Sequence, residues 1–247
     1  MSVLPNVTPS SLNSFDSAQL EGITHLFFDL DDTLWDFKGN AYIAHQIMYD
    51  KYELGRWFDS FDSYFTSYSP KNLELWRQYT CNEITKEFLS VERFAYPLRQ
   101  VGAPESFASS MAVDFLHYTT EQNRLLPDAM ELLRYVRTKY TLSIISNGFC
   151  EVQYKKLRKS GLEPFFAHVV LSEDVGSLKP NKAIYEYALK VNGITPCQAL
   201  MIGDSYDSDI VGARNAGISA LFFNPHRKEV PGDVPQFFAL KELMDVL

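Results

Sequence analysis

The feature that most constrains this chain is a recurring one: a short run of apolar and β-branched residues breaks off in small or acidic residues and gives way to a helical pattern. Five such runs occur, at 23–29, 141–146, 167–171, 199–203 and 219–223. Apolar composition without alternation is what a strand covered on both faces requires. Between the last four runs lie helical segments with start and stop signals. The first opens at Phe149 and stops at Gly161, with Lys159 in its last turn. The second opens after Pro180, carries Ile184, Tyr187, Ala188 and Val191 on one side, and stops at Gly193. The third spans 207–216, ahead of Gly217. A further helix over 127–140, with Leu132, Leu133 and Val136 at helical spacing, leads into the second strand. Strands alternating with helices predict an α/β fold, a Rossmann-like doubly wound parallel sheet with right-handed crossovers. Ligands of such sheets gather at the carboxyl ends of the strands.

The stretch 37–120 breaks this rhythm, being too long for one crossover and holding no convincing strand. It predicts an inserted helical cap domain, with helices over 41–54, 72–80, 85–101 and 105–120 and with Gly55, Pro70, Gly102 and Pro104 between or beside them. The expected organisation is an N-terminal extension at 1–22, an α/β core from 23–36 and 121–247, and the helical domain between. A chain of 247 residues accommodates that at ~150 residues per domain. Its 23 basic and 31 acidic residues give a net charge of −8, a field that disfavours a nucleic-acid polymer as partner. Cys81, Cys150 and Cys197 lack the close spacing of a structural zinc site and read as reduced, buried thiols. Residues 1–22 show no basic start followed by an apolar run, and no stretch reaches the ~18–20 apolar residues that span a bilayer. The expectation is a cytoplasmic protein without a membrane partner, monomer or homodimer.

The chemistry concentrates where strands end. In Phe27-Phe28-Asp29-Leu30-Asp31-Asp32-Thr33 an apolar strand runs straight into three acids, and in Gly203-Asp204-Ser205-Tyr206-Asp207-Ser208-Asp209 a second acidic cluster follows the strand at 199–203. Two carboxylates ~4 Å apart repel by about 4 kcal/mol at an effective dielectric near 20. A rim gathering Asp29, Asp31, Asp204 and Asp209 therefore calls for a cation, and ligands that are all oxygen favour Mg²⁺. Other strand ends supply the complementary chemistry. Ser146-Asn147-Gly148 closes one strand and opens a helix, offering a hydroxyl and backbone N–H groups to an anion, and Lys179 brings a compact positive charge to the same rim. Carboxylates, a divalent cation, a hydroxyl with amides and one lysine together describe a phosphate-transfer site.

The order Asp29-x-Asp31-x-Thr33, then Ser146, then Lys179, then Gly203-Asp204 with Asp209 resembles the four motifs of the haloacid dehalogenase-like hydrolase superfamily. The resemblance covers 23–223, and the helical insertion resembles that superfamily's type 1 cap. Within the superfamily the chain looks similar to the pyrimidine 5′-nucleotidases. The resemblance implies that Asp29 is a nucleophile accepting the phosphoryl group and that Asp31 is the acid and then the base. It implies that Thr33, Ser146, Asn147, Gly148 and Lys179 hold the substrate phosphate. Asp29, the backbone carbonyl of Asp31, Asp204 and, through water or through Lys179, Asp209 would support Mg²⁺. Asp207 is a rival for the place of Asp209. The substrate class implied is a small-molecule phosphomonoester, first a nucleoside 5′-monophosphate, under a cap that closes over it.

Competing chemistries find less in the sequence. A 2-haloacid dehalogenase needs neither a second acid like Asp31 nor a metal. A sugar phosphate or phosphoglycolate phosphatase stays open, and a phospho-receiver signalling module would share the acids and the lysine but is half this length. Asp207 and Asp209 do not fit a calcium loop, because its later positions fall on Val211 and Ile218. The five histidines are scattered, and no dinucleotide, Walker or nucleophile-elbow glycine pattern occurs. Trp35 follows the acidic loop and is a candidate to stack on a nucleobase, whereas the aromatics from Tyr42 to Tyr68 read mostly as core.

Overall fold

The computed structural model describes residues 20–231 and 234–247, so most of the extension at 1–22 lies outside the described residues. Six parallel strands form one sheet: β1 (His25–Phe28), β2 (Thr141–Ser146), β3 (His168–Leu171), β4 (Ala199–Gly203), β5 (Ser219–Phe223) and β6 (Gln236–Phe237). Their spatial order is β3-β2-β1-β4-β5-β6. The chain therefore winds outward from β1 through β2 and β3, then returns to the other side of β1. That reversal puts a topological switch point between β1 and β4, where open α/β sheets bind ligands. Register fixes the rim: Phe28 pairs with Ile144 on β2 and with Ile202 on β4, so Asp29 is level with Ile145 and Gly203, and Ser146 and Asp204 come one residue later on the strands that flank it. The Asp29 N–H still donates to the Ile202 carbonyl at 2.9 Å, extending the ladder one residue into the acidic loop.

Two compact units divide the chain. Of the described residues, one comprises 20–36, 125–153, 161–231 and 234–247; the other comprises 37–124 and 154–160. In the α/β unit Phe27, Ile145, Val170, Ile184, Tyr185, Met201, Ile210 and Phe222 form a buried core around the sheet. Burying a side chain of this size contributes ~1.5–3 kcal/mol, which holds the strand ends in place. The helical unit is built on α1 (Phe37–Lys51), α2 (Phe61–Thr80), α3 (Lys86–Gln100) and α4 (Phe107–Glu121). Its own core gathers Met48, Tyr64, Tyr68, Phe94, Leu98, Met111 and Phe115.

Several expectations are revised. The second helix of the helical unit starts at Phe61 and runs through Pro70. Proline removes one backbone hydrogen bond there, but buried Tyr64, Tyr68 and Leu75 on one face hold the two halves in register. Trp35 has no exposed surface and pairs through its backbone with Asp31 and Leu125, so its ring offers no face to a nucleobase. Cys81 and Cys197 are exposed rather than buried, because one caps a helix end and the other sits in a single 3₁₀ turn. After α5 (Ala129–Val136), α6 (Cys150–Lys159) and α7 (Ser172–Val175), the helix α8 (Lys182–Asn192) turns Tyr185 inward, while Tyr187 is 39% exposed. The segment expected as one helix over 207–216 is a π-helical turn, Tyr206–Val211, followed by the short α9 (Gly212–Asn215). Among the described residues no helix is long and apolar enough to cross a membrane.

Candidate active site

The centre of the rim is Lys179, which is only 2% exposed. Its ammonium donates to Asp29 Oδ1 at 2.6 Å, to Asp209 Oδ1 at 2.7 Å and to the Ile145 carbonyl at 2.8 Å. An ammonium has three protons, and all three are engaged. The backbone of Lys179 is anchored by Asn147, whose side chain accepts from the Lys179 N–H at 2.7 Å and donates to its carbonyl at 2.9 Å. Burial pulls the Lys179 pKa down, but the carboxylates of Asp209 and Asp29 outweigh it and hold the ammonium above its ordinary range. Asp29 is pushed well above the usual carboxylate range, first by burial; Lys179 opposes this, and Asp209, Asp204 and Asp31 add to it. One lysine does not offset so many acids.

Asp209 has no exposed surface. Its Oδ1 accepts from Lys179 and its Oδ2 from the Ser205 N–H at 3.0 Å. The π-helical turn aims it inward, and the Tyr185 hydroxyl donates to the Ser208 carbonyl within that turn. A Cβ at Gly203 would collide with the Asp209 carboxylate, so glycine at the end of β4 is what lets this acid fold over the strand. Asp207 is exposed and outside the carboxylate cluster that includes Asp209. Asp29, Asp204 and Asp209 each bring a carboxylate oxygen to within 4.8 Å of the others. An all-oxygen set of this kind, with excess negative charge, fits a hard divalent cation such as Mg²⁺. Since both oxygens of Asp209 already accept hydrogen bonds, Asp29 and Asp204 are the members better able to hold it. The side chain of Asp31 is not in this carboxylate cluster.

Thr33 was expected at the substrate phosphate, yet it has no exposed surface. Its Oγ1 accepts from the Asp204 N–H at 3.1 Å and donates to Asp204 Oδ1 at 3.4 Å, so this hydroxyl positions the acid. Between Asp31 and Thr33 the chain turns through Asp32 at φ 60, a left-handed conformation that aspartate tolerates, and the Asp32 N–H donates to the Trp35 carbonyl. Ser146 Oγ accepts from the Gly148 N–H at 3.1 Å and from Gln153 Nε2 at 2.7 Å. Gln153 Nε2 also donates to Asp31 Oδ2 at 3.0 Å. Gln153 is the residue that reading the sequence missed; the available signal was a polar side chain on the inward face of α6 behind Gly148.

A phosphoryl-transfer constellation on this topology narrows the ancestry. The profile of the haloacid dehalogenase-like hydrolases matches residues 23–217. The chain belongs to that family. As a haloacid dehalogenase-like hydrolase it is an enzyme, and it is 33% identical to the pyrimidine 5′-nucleotidase YjjG of Escherichia coli over 229 residues, 90% of this chain and 95% of that protein. It is 31% identical to the glyceraldehyde 3-phosphate phosphatase of Methanothermobacter thermautotrophicus over 212 residues, 84% of this chain and 88% of that protein. The magnesium-bound crystal structure of the HAD-hydrolase YfnB from Bacillus subtilis superposes with a TM-score of 0.83 at 28% identity, covering 91% of this chain and 98% of that one.

Proposed function

We propose that this hydrolase is a Mg²⁺-dependent phosphomonoesterase that works through an aspartyl-phosphate on Asp29, with a nucleoside 5′-monophosphate, first a pyrimidine one, as substrate. The observation that carries the reading is the placement of Asp29 against Lys179 at 2.6 Å with the Asp204 carboxylate alongside, at the switch point of the sheet. Of the bridged trio Asp29 keeps the most exposed surface, 7% against 2% for Lys179 and none for Asp209. It is therefore the member that meets a substrate. The similarity to YjjG supports the nucleotide reading, and the similarity to a glyceraldehyde 3-phosphate phosphatase supports a sugar phosphate as the second.

In the first half-reaction an Asp29 oxygen bonds to phosphorus, the ester P–O bond breaks, and Asp31 delivers a proton to the departing alcohol oxygen. In the second, Asp31 takes a proton from water as the water oxygen bonds to phosphorus, the Asp29–phosphorus bond breaks, and inorganic phosphate leaves. Acid–base assistance of this kind contributes ~10²–10⁴-fold. Asp29, Asp204 and the backbone carbonyl of Asp31 would hold Mg²⁺, which when bound supplies positive charge against the phosphoryl oxygens and the crowded carboxylates. Ser146 has both lone pairs filled by Gly148 and Gln153, so its proton is the group it presents to a phosphoryl oxygen. Asn147 and Gly148 contribute by shaping this turn. Lys179 keeps Asp29 oriented and partly neutralised, and the helical unit is assigned the part of a cap.

The test is phosphate release from a panel of nucleoside monophosphates, sugar phosphates and phosphoglycolate, with Mg²⁺ and with chelator, alongside Asp29→Asn. Multiple turnovers on a pyrimidine nucleotide, lost with chelator and in the variant, are expected. Release persisting in Asp29→Asn overturns the covalent route. A single stoichiometric phosphorylation without turnover overturns the phosphatase.

A further inference from the structure

Gln153 is fully buried on α6, and its side-chain nitrogen is shared between two groups of the site: Ser146 Oγ at 2.7 Å and Asp31 Oδ2 at 3.0 Å. We propose that Gln153 is a positioning residue of this enzyme, one amide that sets the orientation of Asp31 and commits the Ser146 proton to the substrate. The proposal rests on the phosphatase reading above.

Three observations carry it. While Asp31 is ionised it only accepts hydrogen bonds, so the amide nitrogen rather than its oxygen faces Oδ2, the proton Asp31 carries as an acid then belongs on Oδ1, and the same nitrogen fills a lone pair of Ser146. The Gly148 N–H fills the other at 3.1 Å, which leaves the hydroxyl as a donor. Second, a Cβ at Gly148 would collide with the Gln153 nitrogen and with its amide carbon, so the turn after β2 is built around this side chain. Third, Gln153 Oε1 is buried and has no hydrogen-bond partner among the described residues. A buried carbonyl oxygen without a donor lowers stability. An amide kept only for packing gains nothing from that, and an apolar side chain of the same length would fill the space without it. What an amide adds at this position is the pair of hydrogen bonds its nitrogen makes.

The experiment compares the full-length parent with Gln153→Met, and with Gly148→Ala as a second way to expel the amide. Steady-state hydrolysis is followed with Mg²⁺ on an alkyl phosphate, the best nucleotide or sugar phosphate of the panel, and on 4-nitrophenyl phosphate, whose leaving group departs without a proton. Gln153→Met is expected to lose about 10–100-fold in kcat/KM on the alkyl phosphate, the parameter that reports the first half-reaction, in which the leaving group departs. The loss on 4-nitrophenyl phosphate should be at least about threefold smaller, and the thermal midpoint should be unchanged or raised. Gly148→Ala should show the same contrast between leaving groups. A kcat/KM within twofold of the parent on both substrates overturns the proposal. So does a lowered thermal midpoint with equal losses on the two leaving groups, which is what a structural role alone produces. Should Gln153→Met not fold, Gly148→Ala decides by the same ratio. A parent that hydrolyses neither ester removes the phosphatase reading and this proposal with it, whereas an active parent with an indifferent Gln153 removes only the latter.

Discussion

The rim of the sheet and the core of the helical unit both bury charged or titratable side chains, and they do so in opposite ways. At the rim, Lys179 is answered by Asp29, Asp209 and a backbone carbonyl, and its ammonium is held above its ordinary pKa. In the helical unit, Arg93 and His45 lie among rings. The Arg93 guanidinium sits 4.7 Å from the Phe115 ring centre and 5.2 Å from that of Phe94, and His45 Nδ1 lies 3.0 Å from the Tyr64 hydroxyl. Arg93 Nη2 and His45 Nε2 have no partner among the described residues. Burial pulls both groups below their ordinary pKa, with His45 lowered to about 3. The contrast teaches that burial alone does not mark a reactive site. What marks the rim is opposite charges arranged so that one carboxylate stays reachable.

The largest break in this contrast comes from Lys179→Met, which leaves Asp29 and Asp209 buried without their counter-charge. Losing one partner of a buried ion pair costs roughly 3–5 kcal/mol, read as a lower urea midpoint, and phosphate release should fall by about 10²–10³-fold or more. Retained activity would show that the rim does not depend on charge balance. A subtler break is Gly203→Ala, which keeps every charge but drives a methyl group into the Asp209 carboxylate. Overpacking of this kind costs ~1–3 kcal/mol, and a displacement near 1 Å lowers kcat by roughly 10²-fold. Unaltered kinetics would mean that Asp209 need not sit where it does.

The helical unit supplies the effect that is smallest on phosphate release, and its effect on stability has a definite sign. His45 is lowered from 6.5 to about 3 in the fold, so between those values the unfolded chain binds a proton that the native protein does not. Stability is then fully present above about pH 6.5 and is lost as pH falls, by up to about 1.4 kcal/mol per unit. Urea midpoints should decline over that window and flatten in His45→Gln. An equal decline in the variant would assign the acid sensitivity elsewhere. Lys179 is raised rather than lowered and adds nothing in the same range.

Much of the α/β unit is legible in the sequence because a strand buried on both faces announces itself by composition. The bounds of β2, β4 and β5 match the runs 141–146, 199–203 and 219–223. The two-residue β6 is too short to carry such a signal. The acids at the rim are legible for the same reason, since each follows a strand directly. What resists reading is which partner a polar side chain chooses. Thr33 and Asn147 carry the groups expected of phosphate binders, yet the turns they sit in direct those groups to Asp204 and to the Lys179 backbone. The π-helical turn departs from the helical phase that sequence periodicity assumes, and within it Asp209 is buried while Asp207 is exposed. Likewise α8 presents Tyr185 where spacing from Pro180 suggested Tyr187.

The pairing of Phe28 with Ile202 has one more consequence. Because β1 and β4 are immediate neighbours, ~4.8 Å apart, Asp29 falls level with Gly203, and Asp204 follows one residue later, held by the Thr33 hydroxyl. Connections elsewhere in the chain can lengthen or shorten while the paired strand ends and the Thr33 turn between them keep the two acids adjacent.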